Sequence, residues 1–149
     1  MERVRYWEDV QVGQELPGYA LLLDPLRLHL QSSGTQDFHR QHNDEAFARQ
    51  QGAGGIFVNT GFMHAALSRV LLDWMGDEGF LQSFRMDMRK MNRPGDTMSV
   101  GGKVTRTWQE TDVGYVECEL WAANEREGIT TPGQAVLTLP RRAQDPTRV

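Results

Sequence analysis

"NTGFMHAALSRVLLDWMG", residues 59–76, is the stretch on which the fold turns. Phe62, Met63, Ala65, Ala66, Leu67, Val70, Leu71, Leu72, Trp74 and Met75 are apolar and recur at the spacings of a helix. Thr60, His64 and Ser68, four apart, leave only a narrow polar stripe. A helix apolar around most of its circumference must be covered by other structure, because on a surface that area would stay in water. Asn59 or Thr60 can cap its start, and Gly76 follows its last apolar residue. The stretch predicts a long, buried central helix.

Working outward, everything C-terminal to it reads as strands. Phe84, Met86 and Met88 alternate with Arg85, Asp87 and Arg89, and "RPGD" (93–96) makes a turn. "TMSVGGKVTRTWQE" (97–110) continues extended, and "VGYVECELWAAN" (113–124) puts Val116, Cys118 and Leu120 on one face. "NEREG" (124–128) turns the chain, and Ala135, Leu137 and Leu139 share a side of the last strand. On the N-terminal side, Leu26, Leu28 and Leu30 alternate with Arg27, His29 and Gln31, the period of a strand, with Pro25 ahead of it. Residues 44–50 read as a short helix, and "QGAGG" (51–55) breaks it. One buried helix, an early strand and three or four consecutive antiparallel strands define an α+β domain, the helix rolled inside a curved sheet.

At 149 residues the chain is expected to form one domain, 1–149, with a core over about 7–140 and a short polar C-terminal tail. The apolar share of 39% and charged share of 24% are ordinary and suggest neither disorder nor a fibre. A net charge of −4 argues against nucleic acid or an anionic membrane as partner. Arg85, Arg89, Lys90 and Arg93 cluster locally, either as a solvated strand face or as a docking site for a phosphate-bearing small molecule. The single cysteine, Cys118, excludes an internal disulfide and a zinc ribbon, and its strand position favours buried packing. No apolar run approaches the roughly 20 residues of a membrane span, and "MERVRYWEDV" lacks a signal-peptide core. A soluble, cytoplasmic protein is expected.

The chemistry concentrates in "GTQDFHRQHNDEAFA", residues 34–48. Asp37 and His42, five apart, would stand about 140° apart on a regular helix, so they converge only if "FHRQ" forms a turn or an irregular helix entry. Asn43 or Asp44 can cap the helix that follows. The residues alone leave two readings open, an acid–base pair or ordinary solvent-facing loop side chains. A metal site from Asp37, His39 and His42 is a weak ligand set, and none is expected.

Asp37-x4-His42, followed by Asp44 and Ala48, resembles the hydratase motif of the MaoC-like, or (R)-specific enoyl-CoA hydratase, family, usually a "GDxNPIHxDxxxA"-like string. "YWEDVQVGQELP", "RPGDTMSVGGKVT" and "NEREGITTPGQAVLTLP" are similar, in order, to the opening, middle strand and closing hairpin of such proteins. The resemblance covers residues 7–140. It implies a hotdog fold, usually paired edge to edge with a second hotdog as a homodimer, a higher oligomer or a heteromer. It implies hydration of a 2-enoyl thioester of CoA or of a carrier protein, with Asp37 and His42 holding the water and no cofactor beyond the thioester. A backbone N–H of Thr60 or Gly61 would hold the carbonyl oxygen, with Asn59 beside it and Arg89 and Arg93 toward the phosphates. Two departures stand out. Relatives often begin the central helix with "HG" where this chain has Asn59 and Thr60, and "FHRQ" lacks the proline of "xNPI". A hotdog thioesterase, a non-catalytic hydratase subunit and an acyl-binding module are the rival readings. The first usually needs a carboxylate on the central helix, where Asp73 lies at the far end.

Overall fold

A computed structural model describes residues 4–142; the polar tail from residue 143 onward, like residues 1–3, lies outside the described residues. The element order is β1 (Glu15–Leu22), α1 (Pro25–Thr35), α2 (Glu45–Gln50), α3 (Thr60–Met75), β2 (Phe80–Met86), β3 (Thr97–Glu110), β4 (Val113–Asn124) and β5 (Gly128–Leu139). The strands form one antiparallel five-stranded sheet in the order β1-β3-β4-β5-β2. α3 lies against β1, β3, β4 and β5, the arrangement implied by the resemblance.

The central helix runs over the residues its pattern predicts. The Asn59 side chain caps it by accepting from the Phe62 N–H at 2.8 Å, and Gly76 ends it at φ +78°. Met63, Leu67, Val70 and Leu71 are sealed against the inward faces of the strands, where Val116, Cys118, Leu120, Ala135 and Leu137 alternate as expected. Each such leucine contributes about 1.5–3 kcal/mol by leaving water. Burial pushes the Cys118 thiol up to about 12, so it packs as a small apolar group. The helix is not covered all round, however. Ser68 of the expected polar stripe is buried, while Leu72 is 51% exposed on the open flank with Ala65 and Arg69.

The strand expected over residues 26–31 is instead the helix α1. Asp24 accepts from the Arg27 N–H at 2.7 Å and Pro25 fills the first turn, where its missing N–H costs nothing. The buried residues are Leu28, Gln31 and Ser32, the i, i+3, i+4 pattern of a helix face. Leu26 and Leu30, which created the apparent alternation, are exposed. β2 likewise stops at Met86, leaving Met88 beyond the strand.

In the segment 88–96 the Arg89 and Lys90 N–H groups still reach the Thr130 carbonyl of β5, and side-chain polar groups hold the rest. In "RPGD" the Arg93 backbone N–H donates to Asp96 Oδ2 at 2.8 Å, and Arg126 Nη2 donates to the same oxygen at 2.7 Å. Burial alone would raise the Asp96 carboxyl, but the Arg126 guanidinium, the Arg93 N–H and the nearby positive charges outweigh it and hold it below the usual carboxylate range. A depressed folded value means that the unfolded chain takes up the proton first as pH falls. The contribution is complete above about pH 4 and disappears as pH drops through the folded value. Urea denaturation across pH should therefore find Asp96→Asn less stable than the wild type at neutral pH, with the gap closing below about pH 4. A gap independent of pH would exclude this role. Among the described residues no helix is long and apolar enough to cross a membrane.

Candidate active site

The end of α1 sets up the site. Gln36 takes a left-handed conformation (φ 57°, ψ 26°), which stops the helix and turns the chain away from its axis. The Asp37 carboxylate then folds back on its own backbone, Oδ1 accepting from the His39 N–H at 3.3 Å. His39 Nδ1 in turn accepts from the Gln41 N–H and caps a 3-10 turn over Arg40–His42. The turn rotates His42 inward. The proline absent from "FHRQ" is thus replaced by the side chain of His39. Asp44, not Asn43, caps α2 through the Phe47 N–H at 3.0 Å.

This irregular entry brings the two residues of the motif together. His42 Nε2 stands 3.3 Å from Asp37 Oδ2, with the imidazole buried and the carboxylate 40% exposed. The other ring nitrogen, Nδ1, lies 2.9 Å from the Phe57 carbonyl oxygen. A carbonyl can only accept, so Nδ1 carries the proton, and in the neutral ring Nε2 presents a lone pair toward Asp37. In that neutral form Nε2 and Oδ2, 3.3 Å apart, are both acceptors and can share one donor.

The same region aligns the start of α3. Gln31 Oε1 accepts from the Asn59 N–H at 3.0 Å, and Thr35 Oγ1 accepts from Asn59 Nδ2 at 2.7 Å. Gln31 and Asn59 are buried, so these bonds are shielded from competing water. α1 and α3 touch closely here: a Cβ on Gly61 would lie 3.0 Å from Thr35 Cγ2. The Asn59 cap takes the Phe62 N–H; among the described residues the Thr60 and Gly61 N–H groups meet no acceptor. They sit at the positive end of a 16-residue helix. Free N–H groups at a helix terminus can donate to a negatively charged oxygen.

Gln31, Thr35 and Phe57 escape a reading of the sequence. Gln31 fell on the polar face of the mistaken strand, and its position four before Thr35 and three after Leu28 was the available signal.

The two arginines toward the phosphates part company. Arg89 and Arg85 line a cavity of about 130 Å³ beside Gln134, and Arg89 faces Asp87 at 3.5 Å. The Arg93 guanidinium packs against Gly54, which is at φ +73°, so the small residues before α3 are filled by a side chain. Among the described residues no three His, Cys, Asp or Glu side chains group as metal ligands.

A central helix laid across a five-stranded antiparallel sheet is the hotdog fold. The chain's structural neighbours are MaoC-like dehydratases and (R)-hydratases. A MaoC-like dehydratase from Rhodospirillum rubrum matches with a TM-score of 0.80 at 21% identity, covering 93% of this chain and 99% of that one. The (R)-hydratase from A. caviae involved in PHA biosynthesis matches at 0.77 and 17% identity, over 89% and 99%. A chain of the ChsH1-ChsH2 complex from Mycobacterium tuberculosis matches at 0.77 and 25% identity, over 87% and 98%. No family model matches the sequence, and no curated protein matches it.

Proposed function

We propose that the protein hydrates 2-enoyl thioesters to 3-hydroxyacyl thioesters, and catalyses the reverse dehydration, through Asp37 and His42. The observation that carries this reading is the 3.3 Å approach of His42 Nε2 to Asp37 Oδ2, with His42 tied to the Phe57 carbonyl three residues ahead of α3. The fold neighbours described as hydratases and dehydratases support it.

In this mechanism the thioester carbonyl oxygen accepts from the Thr60 or Gly61 N–H, which draws electron density from C3. The water held by Asp37 and His42 attacks C3 as one of its protons passes to the pair. The C2–C3 π electrons move into an enolate, whose charge the helix terminus stabilises. The pair then returns the proton to C2, which restores both groups and leaves a hydroxyl on C3. The reaction calls for no cofactor beyond the CoA or phosphopantetheine thioester. The Arg85–Arg89 cavity suits a phosphate of that carrier. A second hotdog chain, identical or different, pairs along a sheet edge.

A thioesterase reading fares worse, because Asp73 is exposed at the far end of α3 and bound to Arg69. Incubation of the purified chain with a 2-enoyl-CoA and its saturated analogue separates the readings. Loss of enone absorbance without free thiol is expected. Thiol release from both would establish an esterase. No turnover alone, with turnover restored by a second hotdog chain, would make this the non-catalytic subunit.

A further inference from the structure

Beyond the paired acid and base, a groove runs along the outer side of α3. Its first chamber, of about 380 Å³, is lined by Leu26, Leu30, Gln31 and Phe62. Gln31 is the residue that holds the Asn59 N–H, and Phe62 directly follows Gly61, so this chamber lies at the first turn of α3. The second, of about 190 Å³, is lined by Tyr19, Leu21, Ala65, Ala66 and Arg69. Arg27 and Phe62 border both, so the two chambers adjoin along α3. From Phe62 to Arg69 the helix rises by about 10 Å, the length of an extended chain of about eight carbons.

The groove changes character along its length. Leu26 and Leu30 are 66% and 62% exposed, an apolar lining left in water. The far chamber has two guanidinium groups and no carboxylate among its lining residues. Arg27 uses Nε on the Leu22 carbonyl, and among the described residues its two terminal nitrogens have no partner. Arg69 lies over the Tyr19 ring and gives Nε to Asp73 at 3.3 Å, so one of the two positive charges is partly offset. Asp24, the other carboxylate nearby, belongs to the first chamber and accepts from the Arg27 backbone N–H.

Resting on the hydratase reading, we propose that this groove receives the acyl chain and selects one whose far end carries a carboxylate, bound by Arg27 and Arg69. The apolar chamber takes the methylenes next to the reacting carbons. The arginine-lined chamber takes the anionic end, at the distance the helix sets. A chain ending in a methyl group would strand the two guanidinium groups against hydrocarbon.

Calorimetric titration with saturated eight-carbon acyl-CoA thioesters, ending in a methyl or a carboxylate, tests this without needing turnover. The wild type should bind the carboxylate-ended ligand ~10–100-fold more tightly, the range of a charge-assisted contact. Arg27→Met and Arg69→Met should each erase most of that preference while binding the methyl-ended ligand at least as tightly as the wild type does, which also shows that the variants are folded. Equal affinities in the wild type, or a preference that survives both substitutions, would overturn the proposal. So would a change of mass in solution for Leu30→Glu with both affinities intact, which would assign the groove to a second copy of the chain. Turnover of a short 2-enoyl thioester is scored separately: hydration without a carboxylate preference sinks the groove alone, and the preference without hydration sinks the hydratase reading alone.

Discussion

His42→Ala and Asp37→Asn are each expected to lower kcat for 2-enoyl-CoA hydration by ~10²–10⁴, the usual worth of a positioned acid or base. The two changes strike different parts of one device. His42→Ala removes Nε2 and also leaves the Phe57 carbonyl, which loses its partner at 2.9 Å, with only the longer bond from Gln31 Nε2 at 3.5 Å. Asp37→Asn keeps the shape and can keep the bond from the His39 N–H, but replaces an acceptor by an amide that either donates or accepts weakly. Because the proposed mechanism has both groups hold one water, the double variant should be scarcely slower than the worse single one. Circular dichroism and thermal melting must show both variants folded. Turnover unchanged in both would mean that the stretch is only a helix entrance.

The second large effect is on stability. Asn92→Leu should cost about 2–4 kcal/mol, lowering Tm on the order of 10 °C. Asn92 is fully buried, donates to Thr130 Oγ1 at 2.9 Å and accepts from Asn124 Nδ2 at 2.8 Å. Leucine would leave both partners short of a bond where water cannot replace it. The Asn92 backbone carbonyl also accepts from the Val58 N–H at 3.0 Å, next to the Phe57 carbonyl that orients His42. Misplacing that segment should reduce kcat as well, by a factor that Thr130→Val, which touches the network but not Val58, does not reproduce. Differential scanning calorimetry with parallel assays would check both. A Tm within a degree or two of wild type would show that the network contributes little.

Most of the frame was legible because its signals are local and repeated. The apolar pattern of 59–76 and the alternation in 113–124 and 133–140 give each residue the same instruction as its neighbours, so one ambiguous position does not matter. Residues 26–31 show the opposite case. Three leucines at period two mimic a strand, but only Leu28 is buried, and the informative signals were the Asp24 cap and Pro25. Misreading that element concealed Gln31 and Thr35, whose partners lie 28 and 24 residues away.

The amino-acid sequence by itself determined a buried helix against antiparallel strands, and it supplied an aspartate and a histidine five positions apart. Whether those two meet was decided only in three dimensions. The left-handed turn at Gln36, the His39 cap and the Phe57 carbonyl bring Nε2 and Oδ2 to 3.3 Å and set the tautomer. Hydrophobic periodicity is written residue by residue along the chain. The direction of a lone pair depends on a carbonyl fifteen residues away, which only the tertiary structure brings within reach.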